Sequence, residues 1–205
     1  MFEDITIIDL KLLSLFIQDY SKKFSINEMS KKLKINYSHT FKRVKKLVKI
    51  GVLNQSRFGK SNVISFNINN IYGIQILSYA EEMDSKKIKN LLFQDIIKSV
   101  VIIDPFSCIG LFGSRVSLKS KEDSDWDIFI ITNKRKEIEK IKSKFPFARD
   151  VDISIFSLEE FEESMESGEE TVVKHIIKNK HILYNPHPFY NLIMKLEGIK
   201  YAPTQ

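Results

Sequence analysis

A glycine-serine turn followed at a fixed distance by two alternating aspartates is the feature of this sequence that most constrains its fold. The apolar run Cys108–Phe112 ends at Gly113, and a second apolar run, Ile128–Ile131, follows Asp125 and Asp127. Short apolar runs bounded by turn-forming residues are typical of buried strands. The stretch therefore predicts a strand, a tight turn, a basic connection and a second strand.

The turn after the first strand carries groups that suit a phosphate. Gly113 permits a close backbone approach, and Ser114 supplies a hydroxyl and an N–H where we expect the first turn of a short helix. Unpaired N–H groups and the helix dipole favour an anion at such a position. Arg115 adds a cation beside them. The turn is therefore a candidate phosphate-binding site.

The carboxylates at the start of the second strand suit a divalent cation. Because side chains alternate along a strand, Asp125 and Asp127 are expected on the same face, where they repel each other. The later run 150–156 predicts another strand with an acid near its start; Asp152 is the preferred third carboxylate, and Asp150 points to the same face. Oxygen ligands of this kind bind Mg²⁺ together with substrate phosphates. The sequence therefore predicts a magnesium site that includes Asp152 or Asp150.

Taken together, these residues resemble the signature of polymerase-beta-type nucleotidyltransferases. The sequences Leu-Phe-Gly-Ser-Arg at 111–115 and Ser-Asp-Trp-Asp at 124–127, followed by an isolated strand aspartate, are most similar to the minimal nucleotidyltransferase group. The run His181–Asn185 is similar to the short final strand of that group, and the resemblance covers residues 94–187. Trp126 departs from the pattern, since the group mostly has an aliphatic residue there.

The resemblance implies an α+β domain with a mixed sheet and flanking helices. It implies transfer of a nucleoside monophosphate to a hydroxyl group, with ATP as the expected donor. It implies that the nucleotide is bound by Gly113, Ser114 and Arg115. It also implies two Mg²⁺ ions held by the catalytic carboxylates Asp125, Asp127 and Asp152.

The positive charge of the chain is concentrated in its N-terminal third. The whole chain has 32 Lys and Arg and 26 Asp and Glu, a net charge of +6. Residues 1–70 hold thirteen basic and five acidic residues, so this segment carries +8 and the remainder −2. Such an asymmetry favours a polyanionic partner; the alternative is a lysine-rich surface that only interacts with solvent.

The basic segment has the order of elements of a winged helix-turn-helix. An apolar helix comes first, and Ser25 with Glu28 forms a capping box that opens a short second helix. A third helix is expected from Tyr37 to Ile50, followed by a hairpin with a basic turn at 57–61. This order resembles a winged helix.

The third helix is expected to present one face to DNA. Its apolar residues, Phe41 among them, are expected to face inward, and polar residues recur at helical spacing on the other side. In a winged helix this element enters the major groove of duplex DNA, while basic residues elsewhere meet phosphates. The residues expected to contact DNA are Ser38, His39, Lys42, Arg43 and Lys46 on the helix, Lys22 and Lys23 before it, and Arg57 and Lys60 in the turn. The alternative is that the domain contacts a protein.

Two helical segments join this domain to the catalytic half. The runs 71–83 and 85–103 both predict helices, and their apolar residues exceed what an exposed linker tolerates. We therefore expect them to be covered by a neighbouring domain or a second subunit. The predicted domains are residues 1–70, a linking or dimerisation segment at 71–93, and the transferase domain at 94–205, in a homodimer.

Composition disfavours several classes of protein and site. The single cysteine, Cys108, excludes an intramolecular disulfide and fits a reducing compartment. The N-terminus is acidic where a signal peptide is basic, and no apolar run reaches the roughly 20 residues that span a bilayer, so we expect a cytoplasmic protein without a membrane segment. His175, His181 and His187 do not share a helix face, so a zinc site is not expected.

The acceptor of the transferred nucleotide is the least constrained part of the function. No segment after Tyr184 is long enough for a substrate domain, so a hydroxyl of a separate macromolecule is the expected acceptor. The minimal group includes antitoxins that modify a partner toxin, and with a DNA-binding domain the resemblance implies an autoregulating antitoxin. The alternative is a transcriptional regulator whose nucleotidyltransferase-like domain only senses nucleotide.

Overall fold

The chain folds into two units, each with its own sheet and its own hydrophobic core. The computed structural model describes residues 5–59, 61–86, 90–116, 125–142 and 151–200. The units are residues 1–81 with 193–205, and residues 82–192. In the described ranges, no helix combines the length and the apolar character needed to cross a bilayer.

The N-terminal unit combines helices with a small antiparallel sheet. Its elements are α1 (Ile7–Ser14), β1 (Lys23–Phe24), α2 (Ile26–Leu33), α3 (Tyr37–Lys49), β2 (Leu53–Phe58), β3 (Ser61–Phe66) and most of α4 (Ile71–Ser85). The strand order is β1-β3-β2, and both pairings are antiparallel. Two helices joined by a tight turn and followed by a hairpin make a winged helix-turn-helix, as the sequence predicts.

Side chains fix the first turns of both helices of the turn motif. The Ser25 hydroxyl accepts a hydrogen bond from the Glu28 N–H at 3.2 Å, and the Glu28 carboxylate accepts from the Ser25 N–H at 2.6 Å. This is the predicted capping box. Helix α2 ends at Lys34 in the left-handed conformation, with φ 54°. The Asn36 side chain then caps α3 by accepting from the Ser38 N–H at 2.8 Å.

An aromatic cluster lies at the centre of the N-terminal core. The ring of Phe16 is edge-on to Phe24 of β1, with centroids 5.3 Å apart, and lies 6.1 Å from Phe66 of β3. The completely buried residues around it include Leu12, Leu13, Met29, Val44, Leu47 and Ile64. Burial of each such side chain contributes about 1.5–3 kcal/mol relative to exposure, so these contacts fix how α3 is rotated about its axis.

The C-terminal unit is built on a mixed four-stranded sheet. Its elements are α5 (Leu91–Ile103), β4 (Cys108–Phe112), β5 (Trp126–Ile131), α6 (Arg135–Lys142), β6 (Val151–Phe156), α7 (Leu158–Glu166), α8 (Val172–Lys178), β7 (Lys180–Tyr184) and the first part of α9 (His187–Lys200). The strand order is β6-β5-β4-β7, with β5 and β6 parallel and the other pairs antiparallel. The α+β class predicted from the sequence is confirmed.

Alternation along the strands gives this sheet two apolar faces. One face packs against α5 and α6 through Phe93, Ile96, Val100, Ile109, Leu111, Ile128, Ile130, Ile138, Val151, Ile153 and Ile155. On the other face, Phe129 of β5 lies 6.2 Å from Phe189 of α9, and Phe189 lies 5.9 Å from Phe161 of α7. Because both faces are covered, polar side chains of the sheet remain accessible at the strand ends.

Helix α9 closes the described part of the chain and runs from His187 to Lys200. Phe189 and Tyr190 are fully buried, which explains why this segment is ordered as a helix. The apolar residues at 189, 192, 193 and 196 have helical spacing, so the signal for a full helix was present in the sequence.

Candidate active site and nucleic-acid interface

Strand register brings two of the predicted carboxylates side by side. Asp127, the second residue of β5, pairs with Phe112 at the end of β4 and with Asp152 in the parallel strand β6. Residues that pair directly across neighbouring strands point to the same face of the sheet. Asp125 immediately precedes β5. Asp150, the alternative third carboxylate, lies outside the described residues.

Gly113 packs directly against Asp127. It follows β4 with a φ of +80°, a conformation that side chains with a Cβ rarely adopt. A Cβ at this position would lie only 2.0 Å from the Oδ2 atom of Asp127. Position 113 therefore requires glycine for two reasons: the positive φ of the backbone, and the lack of space for a Cβ beside the Asp127 carboxylate. The predicted phosphate turn and the predicted carboxylates are parts of one site.

The electrostatics of this site are those of acids held close together. Partial burial, followed by the negative charges of Asp152 and Asp125, raises the pKa of Asp127. A cation between such groups relieves the repulsion, and their oxygens are ligands that Mg²⁺ prefers. Within the described residues, no three His, Cys, Asp or Glu side chains form a closed metal-binding group. In charge and donor type, the neighbouring carboxylates fit a divalent cation.

Ser114 is exposed to solvent, whereas Arg115 packs against an aromatic ring. Ser114 is exposed within a turn over residues 114–116. The guanidinium carbon of Arg115 lies 4.5 Å from the centre of the Trp126 ring, which in turn meets Phe93 of α5 edge-on at 5.1 Å. The unusual tryptophan between the two aspartates is thus the surface on which Arg115 stacks. The structure places Arg115 against Trp126 and Gly113 against Asp127.

Asn179 is a residue of this site that the sequence analysis did not identify. It follows α8, and its Nδ2 donates a hydrogen bond to the Gly113 carbonyl oxygen at 3.0 Å. The bond therefore holds the glycine turn from the connection between α8 and β7. A lone asparagine between a helix and a strand is ordinarily explained as a turn residue, so the sequence carried no signal for this contact.

In the N-terminal unit, the exposed face of α3 is rotated from the predicted one. Thr40, Val44 and Leu47 are buried, so the opposite side of the helix faces solvent. That side carries Ser38, Lys42, Lys45 and Lys49, all exposed. Of the predicted residues on its flank, His39 is exposed and Lys46 is half-buried. The accessible cations of α3 are therefore mainly Lys42, Lys45 and Lys49.

The prediction that Arg43 lies on the face of α3 presented to DNA is wrong. Its Nε donates to the Oδ1 atom of Asp9 in α1 at 2.8 Å, and a second guanidinium nitrogen bonds to Oδ2. Asp9 is fully buried and also accepts from the Thr6 N–H at 2.8 Å. A buried carboxylate is costly unless it is paired, so Arg43 is directed to α1 instead of to solvent.

The prediction that Phe41 faces inward is also wrong. Its side chain is 40% exposed, and the neighbouring Tyr37 is 52% exposed. Both lie on the flank of α3 that faces the hairpin, because Thr40, Val44 and Leu47 already occupy the buried side.

Basic residues around the hairpin are exposed where the structure describes them. Lys22, Lys23 and Arg57 are all exposed. Lys60, the remaining predicted DNA contact, lies outside the described residues. Exposed basic side chains of the N-terminal unit are therefore found on α3, on β1 and β2, and just before β1.

The fold and the carboxylate site define a nucleotidyltransferase-type protein with an additional helix-turn-helix unit. The chain belongs to the polymerase beta nucleotidyltransferase family, because the family model described as "Polymerase beta, Nucleotidyltransferase" matches residues 86–188. No curated protein matches the chain. Among solved structures, a MarR family protein from Bacillus stearothermophilus is similar at 17% identity and a TM-score of 0.35, over 50% of this chain and 70% of that chain.

Proposed function

We propose that the C-terminal unit catalyses Mg²⁺-dependent transfer of a nucleoside monophosphate from a nucleoside triphosphate, ATP being the expected donor, to a hydroxyl group of a partner macromolecule. The observation that carries this proposal is the contact of Gly113 with Asp127, whose carboxylate lies beside Asp152 and near Asp125. Membership of the nucleotidyltransferase family supports the reaction class. Since a fold can be kept after its chemistry is lost, the decisive test is turnover.

The reaction gives each group a separate task. The acceptor oxygen bonds to the α-phosphorus, the bond from that phosphorus to the bridging oxygen breaks, and pyrophosphate leaves with the electron pair. Asp152 accepts the proton of the attacking hydroxyl, and Ser114 with the Gly113 backbone holds the outer phosphates. Arg115, stacked on Trp126, adds positive charge beside the turn.

The carboxylates Asp125, Asp127 and Asp152 are proposed to hold two Mg²⁺ ions. When bound, these ions would neutralise the negative charge of the triphosphate. The raised pKa of Asp127 is the expected property of such a ligand in the absence of its metal, because the acids repel each other.

For the N-terminal unit we propose binding to duplex DNA through α3 and the hairpin. The exposed lysines Lys42, Lys45 and Lys49 lie on one face of α3, and exposed Lys23 and Arg57 lie on β1 and β2. Such a surface matches the phosphate backbone of a duplex, which positions a protein without specifying sequence. Ser38 and His39 remain exposed for contacts to bases.

Joined in one chain, the two activities fit an autoregulating antitoxin that binds its own promoter and modifies a toxin protein, as a homodimer. The second candidate is a transcriptional regulator in which the C-terminal unit only binds nucleotide. It is favoured by the concentration of basic charge in the N-terminal third, +8 in residues 1–70. The two candidates differ in turnover.

Incubation of the full chain with Mg²⁺ and each of four α-labelled nucleoside triphosphates tests the proposal. We expect pyrophosphate and label on a macromolecule with one nucleotide, and no label with the Asp125→Ala/Asp127→Ala double variant. Asp95→Ala, an exposed acid on α5, is the matched control and should retain transfer. Nucleotide binding that changes DNA affinity without any product would favour the regulator.

A further inference from the structure

Two aromatic side chains are exposed on α3, the helix assigned to the major groove. Tyr37 is 52% and Phe41 is 40% exposed, and their rings lie one helical turn apart with centroids separated by 6.2 Å. Single exposed apolar residues are ordinary, but a pair that stacks in solvent on a lysine-rich helix forms a flat apolar surface among cations. The residues around the aromatic pair indicate the chemical class of the partner that covers this surface.

The aromatic pair forms part of the wall of a groove of about 390 Å³ within the N-terminal unit. The remaining lining residues come from the start of α2, from α3 and from the hairpin: Ser25, Ile26, Asn27, Lys45, Gln55 and Asn62. The Lys45 Nζ donates to the Gln55 Oε1 at 2.9 Å and lies 5.7 Å from the centre of the Phe41 ring. Among the described residues, the groove thus combines an aromatic wall with amide groups and the Lys45 cation.

A second cavity, of about 600 Å³, shares Ser25 with this groove and is lined by Lys23 and Arg57. It also contains one acid, Glu28, whose carboxylate accepts from the Ser25 N–H at 2.6 Å and from the Ser25 hydroxyl at 2.8 Å. Lys23 and Arg57 outnumber this carboxylate, so the described lining of the cavity carries a net positive charge. An anionic chain that carries flat, partly apolar groups is the complementary partner, which describes nucleic acid.

We propose that Tyr37 and Phe41 recognise thymine in the major groove of duplex DNA by contacting its C5-methyl group. The inference rests on the proposed DNA binding of the N-terminal unit and assigns its base preference. The thymine methyl is the apolar feature of the major-groove edge, and aromatic side chains are suitable partners for it. The lysines of α3 contact phosphates, which carry no sequence information directly. Preference for thymine therefore comes from the aromatic pair.

Replacement of thymine by deoxyuridine tests this proposal, because it removes only the methyl group. Duplexes that bind the full chain are first selected from a random pool, and each enriched thymine is then replaced in turn. We expect the dissociation constant of the unmodified protein to rise about fourfold for each contacted thymine, the scale of losing one buried methyl group. In Phe41→Ala and in Tyr37→Ser, the thymine and deoxyuridine duplexes should bind equally.

Lys49→Ala is the matched control, since Lys49 is exposed on α3 and is absent from the lining of the groove. It should weaken binding of both duplexes by the same factor, reduce the salt dependence, and keep the preference for thymine. Equal binding of the two duplexes by the unmodified protein, or a thymine preference that survives in both aromatic variants, overturns the inference while DNA binding stands. If no duplex is enriched, DNA binding and this inference fail together, and the nucleotidyl transfer assay is unaffected.

Discussion

Asp9 in the N-terminal unit is a fully buried carboxylate and Asp127 in the C-terminal unit a partly buried one, and their neighbours carry opposite charges. Asp9 is fully buried and forms an ion pair with Arg43. Asp127 lies beside Asp152 and near Asp125, and burial with these two charges raises its pKa. The ion pair of Asp9 with Arg43 joins α1 to α3. The repulsion between Asp127 and its acidic neighbours instead destabilises the folded state until a cation binds. We therefore propose that Asp9 serves the fold and that Asp127 serves a ligand.

The largest expected effect is loss of nucleotidyl transfer when one charge is removed from the acid cluster of Asp125, Asp127 and Asp152. Asp127→Asn and Asp152→Asn keep the side-chain size and remove one charge, and each should lower the rate by at least about 100-fold, the scale of losing a major electrostatic contribution to catalysis. Steady-state label transfer measures this. Asp95→Asn, on exposed α5, should stay within about twofold of the unmodified protein, since it removes an equal charge outside the site. Near-normal transfer by either cluster variant would contradict the assignment.

Breaking the pair in the N-terminal unit should instead affect stability. Arg43→Met leaves the buried Asp9 carboxylate without its cation, and we expect a loss of about 3 kcal/mol in the free energy of unfolding. The double variant Asp9→Asn/Arg43→Met should recover most of this loss, because no charge is then left buried. Denaturant titration of the three proteins gives the comparison.

Lys42→Met provides the control for this prediction. Lys42 is exposed on the same helix, so its replacement should change stability by less than about 0.5 kcal/mol while weakening DNA binding. If Arg43→Met proved as stable as Lys42→Met, the ion pair would not have the structural role inferred for it.

The acid cluster should show the opposite pH dependence from that of a stabilising acid. The folded-state pKa of Asp127 is raised, so between its unfolded and folded values the native state binds more protons and stability falls as pH rises. Without divalent cations, Asp127→Asn should therefore have a higher Tm than the unmodified protein at pH 8. The difference should shrink as pH falls through the raised pKa and vanish below about pH 4, the ordinary aspartate range.

Thermal unfolding from pH 4 to 8 measures this effect. The acids whose pKa is lowered, Glu28, Glu160 and Glu170, are present in both proteins, so their contributions cancel in the difference. A variant that is less stable than the unmodified protein at pH 8 without metal would show that the cluster is not repulsive.

The smallest effect is expected at Asn179. Asn179→Ala removes the donor to the Gly113 carbonyl, and we expect the free energy of unfolding to fall by about 1 kcal/mol. Because the glycine turn is then held less firmly, the rate of nucleotidyl transfer should fall roughly fivefold. Asn133 is an exposed asparagine that follows β5, and Asn133→Ala should change neither the free energy of unfolding nor the transfer rate. Equal behaviour of the two variants would remove Asn179 from the site.

The parts of the fold that sequence could predict are those controlled by nearby residues. The run 108–112 predicts a strand and is β4, and the capping box at Ser25 opens α2 as expected. Period-two alternation also places Asp127 and Asp152 at the starts of their strands, and only the pairing register, which a sequence does not contain, sets them side by side.

The parts that sequence could not predict depend on distant partners. The direction of the Arg43 side chain depends on Asp9, which lies 34 residues earlier in the chain. The Asn179 bond to the glycine turn spans 66 residues. The spacing within a helix states which residues share a face, but not which face the rest of the fold will cover.

The central claim, that the acid cluster of the C-terminal unit is built for a divalent cation, is tested most directly by Mn²⁺ binding measured by electron paramagnetic resonance. The titration uses the full chain with a non-hydrolysable ATP analogue, and compares the unmodified protein with Asp127→Asn and Asp95→Asn. We expect Mn²⁺ bound by the unmodified protein and by Asp95→Asn, and affinity lowered at least about tenfold in Asp127→Asn, which loses one ligand charge. Equal Mn²⁺ binding by all three proteins would contradict the claim.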